Sequence, residues 1–153
     1  MPGSIKLTFT KLTGKYDKLV IEGFGRTLPI DCPKQRIIPH DLIHYAIEKV
    51  LGLRGFVRLI SEGRPEAELR HADYEAFLGE CLVETTQAEL WSGGEPDDAA
   101  FLDMLSITMG TRGQELRPLP SGALGKLRSE IDALTAAWDK VAPYQSLVLE
   151  LPA

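Results

Sequence analysis

Pro33-Lys34-Gln35-Arg36-Ile37-Ile38-Pro39-His40-Asp41-Leu42-Ile43-His44 is the stretch at which the chain changes its hydrophobic period. Upstream of it, Ile5, Leu7 and Phe9 alternate with Lys6, Thr8 and Thr10, the period of two that marks a half-buried strand. Thr13-Gly14-Lys15 supplies a turn, Leu19-Val20-Ile21 a second strand, and Leu28, Ile30 and Cys32 a third. Pro29 assigns that third strand to a sheet edge, because proline has no N–H to give to a ladder. Downstream the period becomes helical. Pro39 suits the start of a helix, and Ile43, Ala46, Ile47, Val50 and Leu51 then share one face. Strands first and helices afterwards predict an α+β domain with an antiparallel meander.

Further along, the short apolar piece Phe56–Ile60 precedes the break at Gly63-Arg64-Pro65. A second helix is expected from about Glu66 to Trp91, with Tyr74, Phe77, Leu78, Cys81 and Leu82 as its core stripe. A third, from about Asp97 to Met109, should turn Ala100, Phe101, Met104, Leu105 and Thr108 inward. The fourth, from about Ser121 to Val141, has the strictest pattern: Leu124, Leu127, Ile131, Leu134, Trp138 and Val141 form a heptad seam. Such a seam packs either inside its own domain or against a second copy, and Leu127, Ile131, Leu134 and Trp138 are the candidate homodimer contacts. Leu147, Leu149 and Leu151 alternate once more and predict a last strand returning to the N-terminal sheet. The expectation is one domain over residues 1–153, a small sheet packed against about four helices.

At 153 residues, with 44% apolar and 25% charged content, the chain can bury a continuous core. A net charge of −5 without a Lys/Arg run argues against nucleic acid as a partner. Apolar stretches fall far short of the ~20 residues that span a bilayer, so no membrane partner is expected. The start, Met1 to Lys6, lacks an apolar signal core, and two cysteines without metal-type spacing predict reduced thiols in a cytoplasmic protein.

Chemistry concentrates on the first helix. His40 and His44 stand one turn apart on one face and can grip one transition metal such as zinc. Asp41, His44 and Glu48 all lie within about 100° of His40 on the helix wheel. His71, Glu75 or Cys32 could add a third ligand, and Asp41 or Glu48 could serve as catalytic base. Tyr45 and Glu48 could line a small-molecule pocket. Each also has a plain structural reading: Asp41 suits the positive end of a helix, and Cys32 suits the core. Gly110-Thr111-Arg112-Gly113, with Arg117, is a weaker candidate for an anion-binding nest.

The segment Pro33-Lys34-Gln35 through Pro39-His40-Asp41-Leu42-Ile43-His44-Tyr45 to Leu51-Gly52-Leu53, then Gly55-Phe56, resembles a group of small bacterial proteins of unassigned function. The His40-Asp41-x-x-His44 core is also similar to the zinc motif of a ubiquinone-biosynthesis family. That family carries a glutamate twelve positions after the second histidine, where this chain has Phe56. Residues and resemblances together favour a non-catalytic binding or interaction module that self-associates. The alternative is a divalent-metal-dependent hydrolase or lyase built on His40 and His44.

Overall fold

The computed structural model describes residues 3–64 and 73–153. Its elements run β1 (Ser4–Thr10), β2 (Tyr16–Gly23), β3 (Arg26–Pro33), α1 (His40–Leu51), α2 (Phe56–Ser61), α3 (Tyr74–Ser92), α4 (Asp98–Gly110), α5 (Ala123–Asp139) and β4 (Ser146–Pro152). The four strands form one antiparallel sheet in the order β3-β2-β1-β4. Pro29 lies on an edge strand, as expected, and β4 returns to pair with β1. The α+β architecture therefore follows the change of period at Pro33–Pro39.

Register explains the core. Leu28, Ile21, Leu7 and Leu149 stand opposite one another across all four strands, and so do Ile30, Leu19, Phe9 and Leu147. These rows share the face that the helices cover. Ile5, Leu7, Phe9, Leu19 and Ile21 are buried, while Lys6, Lys18 and Glu22 on the other face are exposed. Phe9 meets Trp138 of α5 edge-on at 6.4 Å between ring centroids, tying sheet to helix layer.

Helix α1 is the centre of that layer, packed against α2, α3, α5 and strands β3 and β4. Its periodicity predicts one buried face, yet every residue from Asp41 to Glu48 is buried. The difference comes from neighbours on several sides. It also forces Asp41, His44 and Glu48 to find partners inside the protein. Gly52 ends the helix at φ 66°, a left-handed cap that glycine accepts without a Cβ clash, and its N–H donates to the Glu48 carbonyl at 2.9 Å.

Two expectations are revised, a third lies partly outside the described residues, and a fourth observation bears on an alternative that the sequence leaves open. The apolar piece Phe56–Ile60 is helix α2, so five helices are present among the described residues. The second helix is described from Tyr74 onward, and residues 66–72 of the expected span lie outside the described residues. On α4 the buried set is Phe101, Leu105 and Met109, while Ala100 and Met104 are exposed and Thr108 is half-buried. This helix is apolar nearly all round, so spacing alone could not choose its inner face. Finally, the heptad seam of α5 is spent within the chain: Leu127, Ile131, Leu134 and Trp138 are all buried. A dimer contact through these side chains would require opening the core.

Among the described residues no helix is long and apolar enough to cross a membrane.

Candidate metal centre

His40 opens α1 directly after its N-cap, Pro39, which adopts extended backbone (φ −54°, ψ 144°). One turn later His44 points from the same face into the seam between α1 and α3. The facing side of α3 is a stripe at spacing four, three, four: Ala76, Glu80, Val83 and Gln87. Ala76 and Val83 are buried apolar residues, and Glu80 and Gln87 are the polar members of the same stripe. His44 meets Glu80 and His40 meets Gln87, so the two helices run antiparallel here.

The distances are short. His44 Nε2 lies 3.1 Å from His40 Nε2 and 3.6 Å from Glu80 Oε1. One donor atom from each of His40, His44 and Glu80 lies within 4.8 Å of the others. His40 Nδ1 donates to Gln87 Oε1 at 2.7 Å. That bond places the ring proton on Nδ1 and leaves the Nε2 lone pair facing His44. An outer hydrogen bond of this kind orients metal-binding imidazoles. The rings cross at 69° with centroids 4.8 Å apart, and Phe56 packs on His44 at 5.1 Å.

These donors suit a transition metal. Two imidazole nitrogens on one tetrahedral ion at ~2.0–2.1 Å stand roughly 3.3 Å apart, so the His40–His44 pair needs only a few tenths of an ångström of adjustment. Imidazole and carboxylate together select zinc, iron, nickel or similar divalent ions. Three protein donors leave a fourth tetrahedral position.

The third member of the cluster is Glu80, which periodicity alone did not single out. Of the expected third ligands, Cys32 faces another partner: its thiol donates to Asp41 Oδ2 at 3.6 Å. Burial, then the adjacent Asp41 charge, raises its pKa and holds it as the neutral thiol. Glu75 is exposed in the first turn of α3, one position away from the inward stripe. His71 lies outside the described residues. Phe56 occupies the place of the glutamate that the zinc-family resemblance implies, and packs on His44 as an apolar wall.

Glu48 has a different task. Its carboxylate accepts from Val57 N at 2.7 Å and Arg58 N at 3.0 Å, capping the first turn of α2. Burial nonetheless pushes its pKa from 4.5 up to about 7, against the opposing pull of those amides and of Arg58. Gly55 suits this contact, since a Cβ there would sit 3.2 Å from the Glu48 carboxylate and crowd it. Tyr45 likewise turns from pocket lining to structure: its hydroxyl donates to the Glu150 carbonyl at 3.0 Å, and burial raises its pKa. The cations of the suggested anion nest are also engaged. Arg112 forks onto Glu84 at 2.7 and 2.9 Å, and Arg117 lies 3.9 Å from the Tyr74 ring.

Comparison with protein-family models, with curated proteins and with solved structures finds no match to this chain.

Proposed function

We propose that the chain is a binding module for a divalent transition metal, held between α1 and α3 by His40 Nε2, His44 Nε2 and Glu80. The observation that carries this reading is the convergence of three donor atoms within 4.8 Å, with His40 oriented by Gln87. Water or an exchangeable ligand takes the fourth position. Binding is favoured over turnover because the expected bases are engaged: Asp41 accepts from Cys32, and Glu48 caps α2. The module acts in the cytoplasm, a placement supported by two cysteines that are both free and buried.

A second reading, a metal-dependent hydrolase or lyase, draws on one observation. Two histidines and a glutamate with an open position are the donor set of several zinc hydrolases.

Elemental analysis and metal titration of the untagged protein test the first reading. About one equivalent per chain is expected, abolished by His40→Ala/His44→Ala and weakened at least about tenfold by Glu80→Gln. Metal content indifferent to these changes refutes it. A hydrolytic or lyase activity that appears with metal and vanishes in the double variant would replace it with the second reading.

A further inference from the structure

A cleft of about 580 Å³ opens where the loop between β3 and α1 meets α3 and the end of α5. This is within the usual size range of small-molecule sites. Its lining mixes five charged residues, Gln35 and Thr135 with the half-buried aliphatic side chains Ile37 and Leu90, while Trp138, 7% exposed, contributes little surface. Its charged groups are Lys11, Lys34 and Arg36 against Asp17 and Asp139, a surplus of one positive charge on a protein of net −5.

The surplus can be localised. Lys34 is 3.2 Å from Asp17. Lys11 donates to the Trp138 carbonyl at 2.7 Å and lies 4.6 Å from the Trp138 ring centroid, so its charge is fixed beside the aromatic wall. Arg54, Arg58, Arg112, Arg117 and Arg128 each engage a carboxylate, a carbonyl or a ring. Arg36, among the described residues, has no such partner. It is exposed, and its backbone is left-handed at φ 71°, a conformation that L-residues rarely adopt. The loop that carries it is nevertheless tied on each side of it. Lys34 N donates to the Lys15 carbonyl at 3.0 Å, Gln35 Nε2 to the Ile38 carbonyl at 2.8 Å, and Trp91 Nε1 to the Gln35 carbonyl at 2.9 Å. A fixed loop therefore presents an unpaired guanidinium at the edge of a cleft of mixed polar and apolar lining.

We propose that this cleft binds a small organic monocarboxylate with an apolar body. The body lies against Ile37 and Leu90, beside the small exposed part of Trp138, and the carboxylate forks onto Arg36 with Lys11 nearby. A planar guanidinium matches a carboxylate with two parallel hydrogen bonds, and one surplus positive charge matches a single negative one. Inorganic phosphate would satisfy the charge but leave the apolar walls unfilled.

The test is a two-dimensional NMR titration of the full chain, following the indole N–H of Trp138 and the guanidinium N–H of Arg36. The probes are 4-phenylbutyrate and its neutral amide. Saturable shifts of both signals are expected with the carboxylate, and at least about tenfold weaker binding of the amide. Arg36→Gln should weaken the carboxylate to the level of the amide, and Asp139→Asn should strengthen it. Arg36→Gly, which accepts the left-handed backbone without strain, should lose binding while keeping the loop intact. Adding EDTA should leave binding unchanged, since none of His40, His44 and Glu80 lines the cleft. No saturable shift at Trp138 up to about 10 mM carboxylate, equal binding of the amide, or undiminished binding by both Arg36 variants would each overturn the proposal.

Discussion

Replacing Glu48 with glutamine should remove a pH dependence of stability that the wild-type protein carries. The carboxyl is 1% exposed, and its pKa is raised from 4.5 to about 7. At about 1.36 kcal/mol per unit, the shift is a difference of roughly 3 kcal/mol between protonation states. The sign follows from linkage. Below about pH 4.5 the group is protonated in both folded and unfolded chains, and the advantage of the protonated form is fully present. As pH rises towards about 7 the unfolded chain loses its proton first, so the folded state is progressively destabilised; above about 7 the loss is complete. Between about pH 5 and about pH 8 roughly 2.5 kcal/mol of this difference is traversed. Glutamine keeps one acceptor for the amides of Val57 and Arg58 but turns an N–H₂ towards the other. That mismatch costs the same at both pH values and cancels in the comparison. Urea unfolding of wild type and Glu48→Gln at the two pH values gives the double difference directly. The variant should gain about 2.5 kcal/mol relative to wild type on going to the higher pH. Parallel stability profiles, differing by less than about 0.5 kcal/mol, would refute the argument that burial dominates the amide hydrogen bonds.

Two further predictions concern helix α3 and helix α5. Gln87→Ala leaves all three proposed metal donors in place but frees the His40 ring, so metal affinity should fall about 10–100-fold without loss of the fold; isothermal titration beside circular dichroism distinguishes this from unfolding. Trp138→Ala should destabilise the chain by about 3–5 kcal/mol, read by chemical unfolding, because the ring is buried against Phe9. A change of oligomeric state at unaltered stability, seen by analytical ultracentrifugation, would contradict the intramolecular role of the seam.

The sheet was legible because each strand shows water one face. Ile5, Leu7 and Phe9 had to alternate with polar residues, and Pro29 could stand only at an edge. The seam of α5 was legible for the same reason, its outer side being polar. Helix α4 was not, since Leu102, Met104 and Ile107 are as apolar as the residues beneath and stay exposed. The candidate metal cluster was half legible. Spacing four on one helix brings His40 and His44 together, whereas Glu80 reaches them only through the crossing of α3, a contact between distant parts of the chain. A signal for it did exist: Ala76, Glu80, Val83 and Gln87 make a helical stripe whose polar members interrupt apolar ones. Glu48 misled in the opposite sense. Its place on the helix wheel put it with the histidines, but its side chain length lets it reach forward to the start of α2.

Strand β1 is hydrogen-bonded to β4 along its whole length, from Ser4 opposite Pro152 to Thr10 opposite Ser146. On a ribosome these partners are separated by nearly all the intervening synthesis. Until residues 146–152 emerge, β1 and β2 can pair while the far side of β1 stays an open ladder beside Ile5, Leu7 and Phe9. An unpaired edge with an apolar face is a template for another strand. Until β4 is made the nascent chain thus carries an aggregation hazard at β1, and a chain lacking residues 146–152 would keep it.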